Sequence, residues 1–154
     1  MLSIIGARVP KNSRCNPKKI LSAIEEFSKK TGCAVQVLDA SMIVGREHLY
    51  SAVLHAQRAF DEKRNAARSI SVEVARYASG ERQISVALSK MGISEKTKAM
   101  AIIAIGNCDL GSLVSVLGLE RDDCVLDATP QKLKKWKIKE KKEILERIAM
   151  VDVL

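Results

Sequence analysis

His48–Met91, HLYSAVLHAQRAFDEKRNAARSISVEVARYASGERQISVALSKM, is the stretch that decides the fold. Its apolar residues repeat at helical spacing in three consecutive blocks separated by two polar corners, one holding Arg64, Asn65 and Arg68, the other Gly80, Glu81, Arg82 and Gln83. In the first block Leu49, Val53, Ala56 and Phe60 line one face. His48, Ser51, His55, Arg58 and Glu62 line the opposite one, so this helix should bury a single side. The second block, Ile70 to Ala78, carries Ile70, Val74 and Tyr77 on one stripe and Val72 nearly opposite, with Glu73 and Arg76 beside it. A short helix that is apolar on more than one side is either sandwiched in a core or covered by another protein. Gly80 suits the left-handed residue that ends this helix, and Ile84, Ala87, Leu88 and Met91 predict a full core stripe on the third before Gly92.

N-terminal to this run, LSIIGARV (residues 2–9) is short and β-branched and predicts a strand with Gly6 as a bulge. Asn16 and Pro17 then mark a helix start, with Ile20, Ile24 and Phe27 on one face and Thr31 and Gly32 at its end. CAVQVL (33–38) predicts a second strand, so the chain opens as β–α–β, with a right-handed crossover if the two strands are parallel. C-terminal to the run, KAMAIIAI (98–105) is continuously apolar and predicts a strand in the middle of the sheet, covered on both faces. Asp109 caps a short helix ending at Gly118. After an acidic turn, Glu120 to Asp123, CVLD predicts a brief strand, Thr129 and Pro130 open a helix, a last helix covers about Lys141 to Ile148, and AMVDVL alternates like a closing strand. The fold class is α+β: one domain over 1–154, with a small central sheet packed with several helices and a three-helix run between the second and third strands.

Aromatics are only 3% of residues, which disfavours a nucleic-acid surface built from rows of stacking rings. The formal charge is +8, and much of the excess lies in one tract where Lys132, Lys134, Lys135, Lys137, Lys139, Lys141 and Lys142 face the lone Glu140. Such a tract is either a solvated face or an electrostatic arm for phosphates, with Trp136 as one stacking platform. Cys15, Cys33, Cys108 and Cys124 form no C-x-x-C pair and have no His at ligand spacing, so free buried thiols in a reducing cytosol are expected, with no metal and no disulfide. No signal peptide or membrane span is predicted, and a cytoplasmic protein is expected.

His48 and His55 are two helical turns apart, about 10.5 Å along the axis, too far to chelate one ion together. His55, beside Arg58 on the polar face, is either a surface histidine or a hydrogen-bonding contact to a phosphate or base. The Arg64, Asn65, Arg68 corner serves either as helix entry or as a phosphate cradle in which guanidinium forks meet phosphate oxygens while Asn65 offers an amide to a base edge. Arg82 and Gln83 are equally two-sided, since Gln83 is placed to cap the third helix. The phosphate-loop and dinucleotide signatures do not occur, nor does a recognisable nucleophile motif, and no enzymatic activity or cofactor is expected.

HLYSAVLHAQRAF, RNAARSISVEVARYASGERQIS, VALSKMG and AMAIIAIGN together resemble the small accessory subunit of the KEOPS (EKC) complex, the TPRKB family of binding partners of the PRPK-type atypical kinase. The resemblance is strongest over residues 34 to 106, and LERIAMVDVL is similar to archaeal members. It implies a non-catalytic α+β subunit that docks on the small lobe of the kinase-like ATPase subunit, reaches the other KEOPS subunits indirectly, and supports threonylcarbamoyladenosine modification of tRNA. In archaeal-type complexes such subunits hold the single-stranded CCA end. Surface chemistry laid over the resemblance gives the kinase contact to Val72, Val74 and Tyr77, and the tRNA contact to His55, Arg58, Arg64, Asn65, Arg68, Arg82 and Gln83. The alternative is a pure protein-interaction activator of the kinase with no tRNA contact.

Overall fold

In the computed structural model, which describes residues 1–153, the chain forms two compact units: Met1–Ser41 with Ile93–Leu126, and Met42–Gly92 with the chain from Asp127 onward. The architecture is α+β, as the sequence predicts. The first unit holds a four-stranded sheet of β1 (Leu2–Arg8), β2 (Ala34–Asp39), β3 (Ala99–Ile105) and β4 (Glu120–Arg121) in the order β2-β3-β1-β4, with every neighbouring pair antiparallel. β3 is central and its Met100–Ala104 are buried, as a strand covered on both faces requires. β1 and β2 run parallel to each other because each is antiparallel to β3, which lies between them. The opening β–α–β is therefore a split unit.

Helix α1 (Pro17–Thr31) begins where the sequence places it. Asn16 Oδ1 accepts the Lys19 N–H at 3.2 Å, and Gly32, at φ 75°, closes the other end by donating to the Ser28 carbonyl at 2.9 Å. Its Ile20 and Ile24 join Val35, Val37, Ile102 and Ala104 of the sheet, with Leu110, Leu113 and Val114 of α5 (Leu110–Val116), in one apolar core.

Two expectations in this unit need correction. Gly6 is not a bulge: it pairs in register with Ala101. A Cβ there would stand 2.5 Å from the Asp122 carbonyl oxygen and 2.6 Å from Val125 Cγ2, so glycine serves close packing. CVLD is not a strand but a 3₁₀ turn, Asp123–Leu126, and the strand is Glu120–Arg121 within the expected acidic turn. The carboxylates explain the exchange. Asp123 Oδ1 accepts the Gly6 N–H at 3.0 Å and Asp122 Oδ1 accepts the Cys124 N–H at 3.0 Å, bending the chain out of the ladder after two residues.

The second unit is helical: α2 (Arg46–Asp61), α3 (Ile70–Ser79), α4 (Ile84–Met91), α6 (Pro130–Trp136) and α7 (Glu143–Ala149). Ser69 caps α3 by accepting the Val72 N–H at 3.3 Å, and Gly80 ends it at φ 70°. α3 packs against α2, α4 and α7, and its Val74, Ala75, Tyr77 and Ala78 are buried. Its two-sided apolarity is that of a helix sandwiched in a core. On α4 only Ala87 and Met91 are buried, while Ile84 is half-buried and Leu88 is 40% exposed, so the predicted core stripe is half as wide as the sequence indicates. AMVDVL is not a closing strand either. α7 runs on into a 3₁₀ turn, Met150–Asp152, that buries Val151, and Leu154 lies outside the described residues. Among the described residues no helix is long and apolar enough to cross a membrane.

Candidate functional site

The first polar corner closes on itself. At the end of α2, Arg64 Nη1 donates to Asp152 Oδ1 at 2.7 Å and to the Tyr77 hydroxyl at 3.3 Å, while its Nε meets Glu62. His55 Nδ1 lies 3.0 Å from Asp152 Oδ2 and its ring stacks on Tyr77 with centroids 5.3 Å apart. The Tyr77 hydroxyl donates to Asp152 Oδ1. Burial alone pushes the Asp152 carboxyl up, but the bonds from Tyr77, His55 and Arg64 outweigh it and hold the group below the usual carboxylate range. Asn65 is half-buried and donates to the Ala67 carbonyl at 2.8 Å, bracing its own loop. Three of the predicted RNA contacts, His55, Arg64 and Asn65, are thus engaged within the unit. Asp152, which gathers two of them, has no local signal in the sequence, since it lies 97 residues from His55.

Two buried groups fix the frame around this corner. Glu73 is fully buried and accepts the N–H groups of Ala66 and Ala67 at 3.0 and 3.1 Å, with Arg76 Nη1 at 3.4 Å. His48 is also fully buried, which corrects its assignment to the polar face of the first helix. Its Nδ1 accepts the Val44 N–H at 3.0 Å and its Nε2–H donates to the Ala78 carbonyl at 2.8 Å. A backbone N–H only donates and a carbonyl only accepts, so these partners fix the neutral tautomer. Burial pushes its pKa down to about 4, with Lys132 and Lys90 adding to the fall and the bond to Ala78 opposing it.

The remaining predicted RNA residues point to solvent. Arg58, Arg68, Arg82 and Gln83 are exposed, and their side chains make no ion pair among the described residues. Gln83 makes no side-chain cap to α4. Arg68 stands before α3 and Arg82 after it, so the length of that helix, about 15 Å, separates the two corners. Arg76 Nε donates to the Arg82 carbonyl at 2.7 Å, which shapes the second corner while leaving the Arg82 guanidinium outside.

For the predicted kinase contact, Val74 and Tyr77 are each only 1% exposed and have no surface to offer a partner, because α2, α4 and α7 cover them. Val72 is half-buried and remains available. The exposed apolar groups nearest in sequence are Val86 and Leu88 on α4, at 42% and 40%, with half-buried Ile84 one turn before Leu88. The signal for Val86 was present: it stands two residues after Ile84, off the core stripe.

Trp136 is not a stacking platform. It is buried, its Nε1–H donates to the Met42 carbonyl at 2.9 Å, its edge meets His48, and Lys90 Nζ lies 4.1 Å over its ring. Around it the tract is mixed. Lys132 is buried and donates to the Asp127 carbonyl at 2.8 Å, whereas Lys134, Lys135, Lys139 and Lys141 are exposed. Of the cysteines, Cys15 and Cys33 are buried, but Cys124 is exposed, unlike the expectation of uniformly buried thiols. No cluster of three or more metal-ligating side chains occurs among the described residues.

The surface of the helical unit thus combines exposed guanidinium groups at its helix corners with half-buried aliphatic side chains on α3 and α4. Residues 12–150 match the family described as "Kinase binding protein CGI-121", and the chain belongs to that family. It is also similar to a protein of Coccidioides immitis (strain RS) described as "EKC/KEOPS complex subunit CGI121", 29% identical over 68 residues, 44% of this chain and 33% of the relative. The similar region thus spans about a third of that protein's length. Both agree with the resemblance carried by the central strings.

Proposed function

We propose that this chain is a non-catalytic accessory subunit of a KEOPS-type assembly, acting in the cytoplasm, that docks on the kinase-like ATPase subunit and binds tRNA during threonylcarbamoyladenosine modification. The observation that carries the kinase reading is the family match over residues 12–150. Support for a helical docking face comes from Ile84 and Leu88, one turn apart on α4, with Val72 of α3, which keep apolar surface in water, while Val86 offers apolar surface on the other side of α4. Support for RNA comes from the exposed Arg58, Arg68 and Arg82 with Gln83. His55, Arg64 and Asn65 take part only through an edge left open by their internal bonds.

Co-purification of the chain with the kinase subunit tests the docking reading. Val86→Glu with Leu88→Glu should abolish the complex while leaving the circular dichroism melting curve unchanged, because both side chains already face water. Retained binding would remove α4 from the interface. For RNA, intact tRNA should bind more tightly than CCA-trimmed tRNA, and Arg68→Gln should weaken binding by about threefold. A kinase activator without tRNA contact is favoured by the internal engagement of His55, Arg64 and Asn65. Equal, undetectable binding of both tRNAs would establish it.

A further inference from the structure

The sheet unit carries an open groove of about 720 Å³ between the loop that leaves β1 and the loop that enters β3. Its walls are braced by backbone and side-chain bonds. Val9 N–H donates to the Lys98 carbonyl at 2.8 Å and joins the two loops. Thr97 Oγ1 accepts the Ser94 N–H at 2.8 Å and donates to Asp39 Oδ2 at 2.9 Å, which anchors the second loop to β2. The first loop is a closed turn, with the Ser13 N–H on the Pro10 carbonyl at 3.1 Å and Asn12 at φ 68°.

Lys11, Arg14, Lys96 and Lys98 line this groove, all exposed and none ion-paired among the described residues, with Glu95 as the one acid. Val9 and Pro10 supply apolar surface between the cations. Cys15 adds more, since burial and then the Asp39 charge push its thiol pKa up and keep it neutral. Arg14 also borders an adjoining depression of about 240 Å³ that carries Lys19, so the cationic rim continues past it. The volume falls in the range of small-ligand sites, and an apolar surface ringed by unpaired cations matches a ligand with several negative charges at one end and a flat apolar group at the other.

We propose that this groove binds a free nucleotide, its phosphates held by Lys11, Arg14, Lys96 and Lys98 and its base laid against Val9 and Pro10. A free nucleotide and one residue of an RNA strand present the same chemistry. The proposal goes beyond the function argued above, whose docking and RNA residues all belong to the helical unit, and either can fail without the other.

The test is calorimetric titration of the full chain with ATP and, separately, with a short unstructured RNA. Both are repeated on Lys96→Glu/Lys98→Glu and on the control Lys29→Glu/Lys30→Glu, which makes the same charge change at exposed positions of α1 outside the groove lining. The groove variant should bind roughly tenfold more weakly, with the control within about twofold of the parent. Groove-dependent binding of ATP supports the site; groove-dependent binding of the RNA alone moves the tRNA contact argued above into the groove and overturns the proposal. Failure of the parent to bind either ligand overturns the proposal, and so does equal weakening by groove and control variants, which marks nonspecific charge. Should the Glu variant fail to fold, Lys96→Gln/Lys98→Gln decides the same question with a smaller loss of affinity.

Discussion

The sheet unit and the helical unit solve the same problem of backbone satisfaction by different means. Among the described residues the sheet unit buries one polar side chain, Thr97, whereas the helical unit buries His48, Glu73, Ser79 and Lys132. Strand ladders pair their own N–H and C=O groups, so β3 runs through its core with apolar side chains alone. Short helices leave orphan groups at each end, and α2, α3 and α4 meet end to corner. Side chains supply the missing partners: Glu73 for Ala66 and Ala67, His48 for Val44 and Ala78, Lys90 for Ser79, Trp136 for Met42. A unit held this way has a specific shape at its corners, and its candidate binding groups stand at those corners.

The largest effect should come from breaking that device at its most buried point. Glu73→Ala strands two backbone N–H groups and leaves Arg76 without its carboxylate, and it should destabilise the helical unit by about 3–5 kcal/mol in urea denaturation. Its counterpart Thr97→Val in the sheet unit removes a single hydroxyl with bonds to Ser94 and Asp39 and should cost about 1 kcal/mol. Equal losses would mean that the two units are not held differently.

Acid should separate the units next. The folded pKa of His48, about 4, lies below its ordinary 6.5, so the unfolded chain binds the proton more tightly and stability rises with pH between those values. The neutral imidazole's contribution is complete above pH 6.5 and falls by about 3 kcal/mol as pH drops toward 4. His48→Gln should abolish this dependence in melts followed across that window. Asp152, also depressed, acts in the same direction but lower: its contribution is present above the ordinary 3.8 and is lost as pH falls below it.

The sheet was more legible in the sequence than the helical unit, for the same reason. KAMAIIAI announces a central strand by composition alone, and Asn16–Pro17 and Thr129–Pro130 announce helix starts by local chemistry. His48 sits at the edge of the α2 polar stripe, and what draws it inward is the Ala78 carbonyl 30 residues away, which no periodicity reveals. Val74 and Tyr77 look like a docking stripe because a pattern cannot distinguish a partner helix in the same chain from one in another. AMVDVL alternates over too few residues to tell a strand from a helical end, and it is the tie of Asp152 to α2 and α3 that decides.

That tie also offers the smallest and most discriminating test. Asp152→Asn keeps the shape of the side chain but removes the charge that holds Arg64 and His55, and the half-exposed setting limits the loss of stability to about 1 kcal/mol. If Arg64 and His55 meet RNA phosphates, Asp152 competes with those phosphates for the same donors, and neutralising it should tighten tRNA binding about two- to fivefold. Arg68→Gln, at a guanidinium with no ion-pair partner among the described residues, should weaken it under the same conditions. Unchanged affinity in Asp152→Asn, beside weakened binding in Arg68→Gln, would make the Arg64 cluster a latch that holds the corner and leave RNA recognition to the outward-facing arginines. Binding weakened by Asp152→Asn as much as by Arg64→Gln would instead make Asp152 a positioning residue of a preformed site, with its carboxylate orienting the two donors.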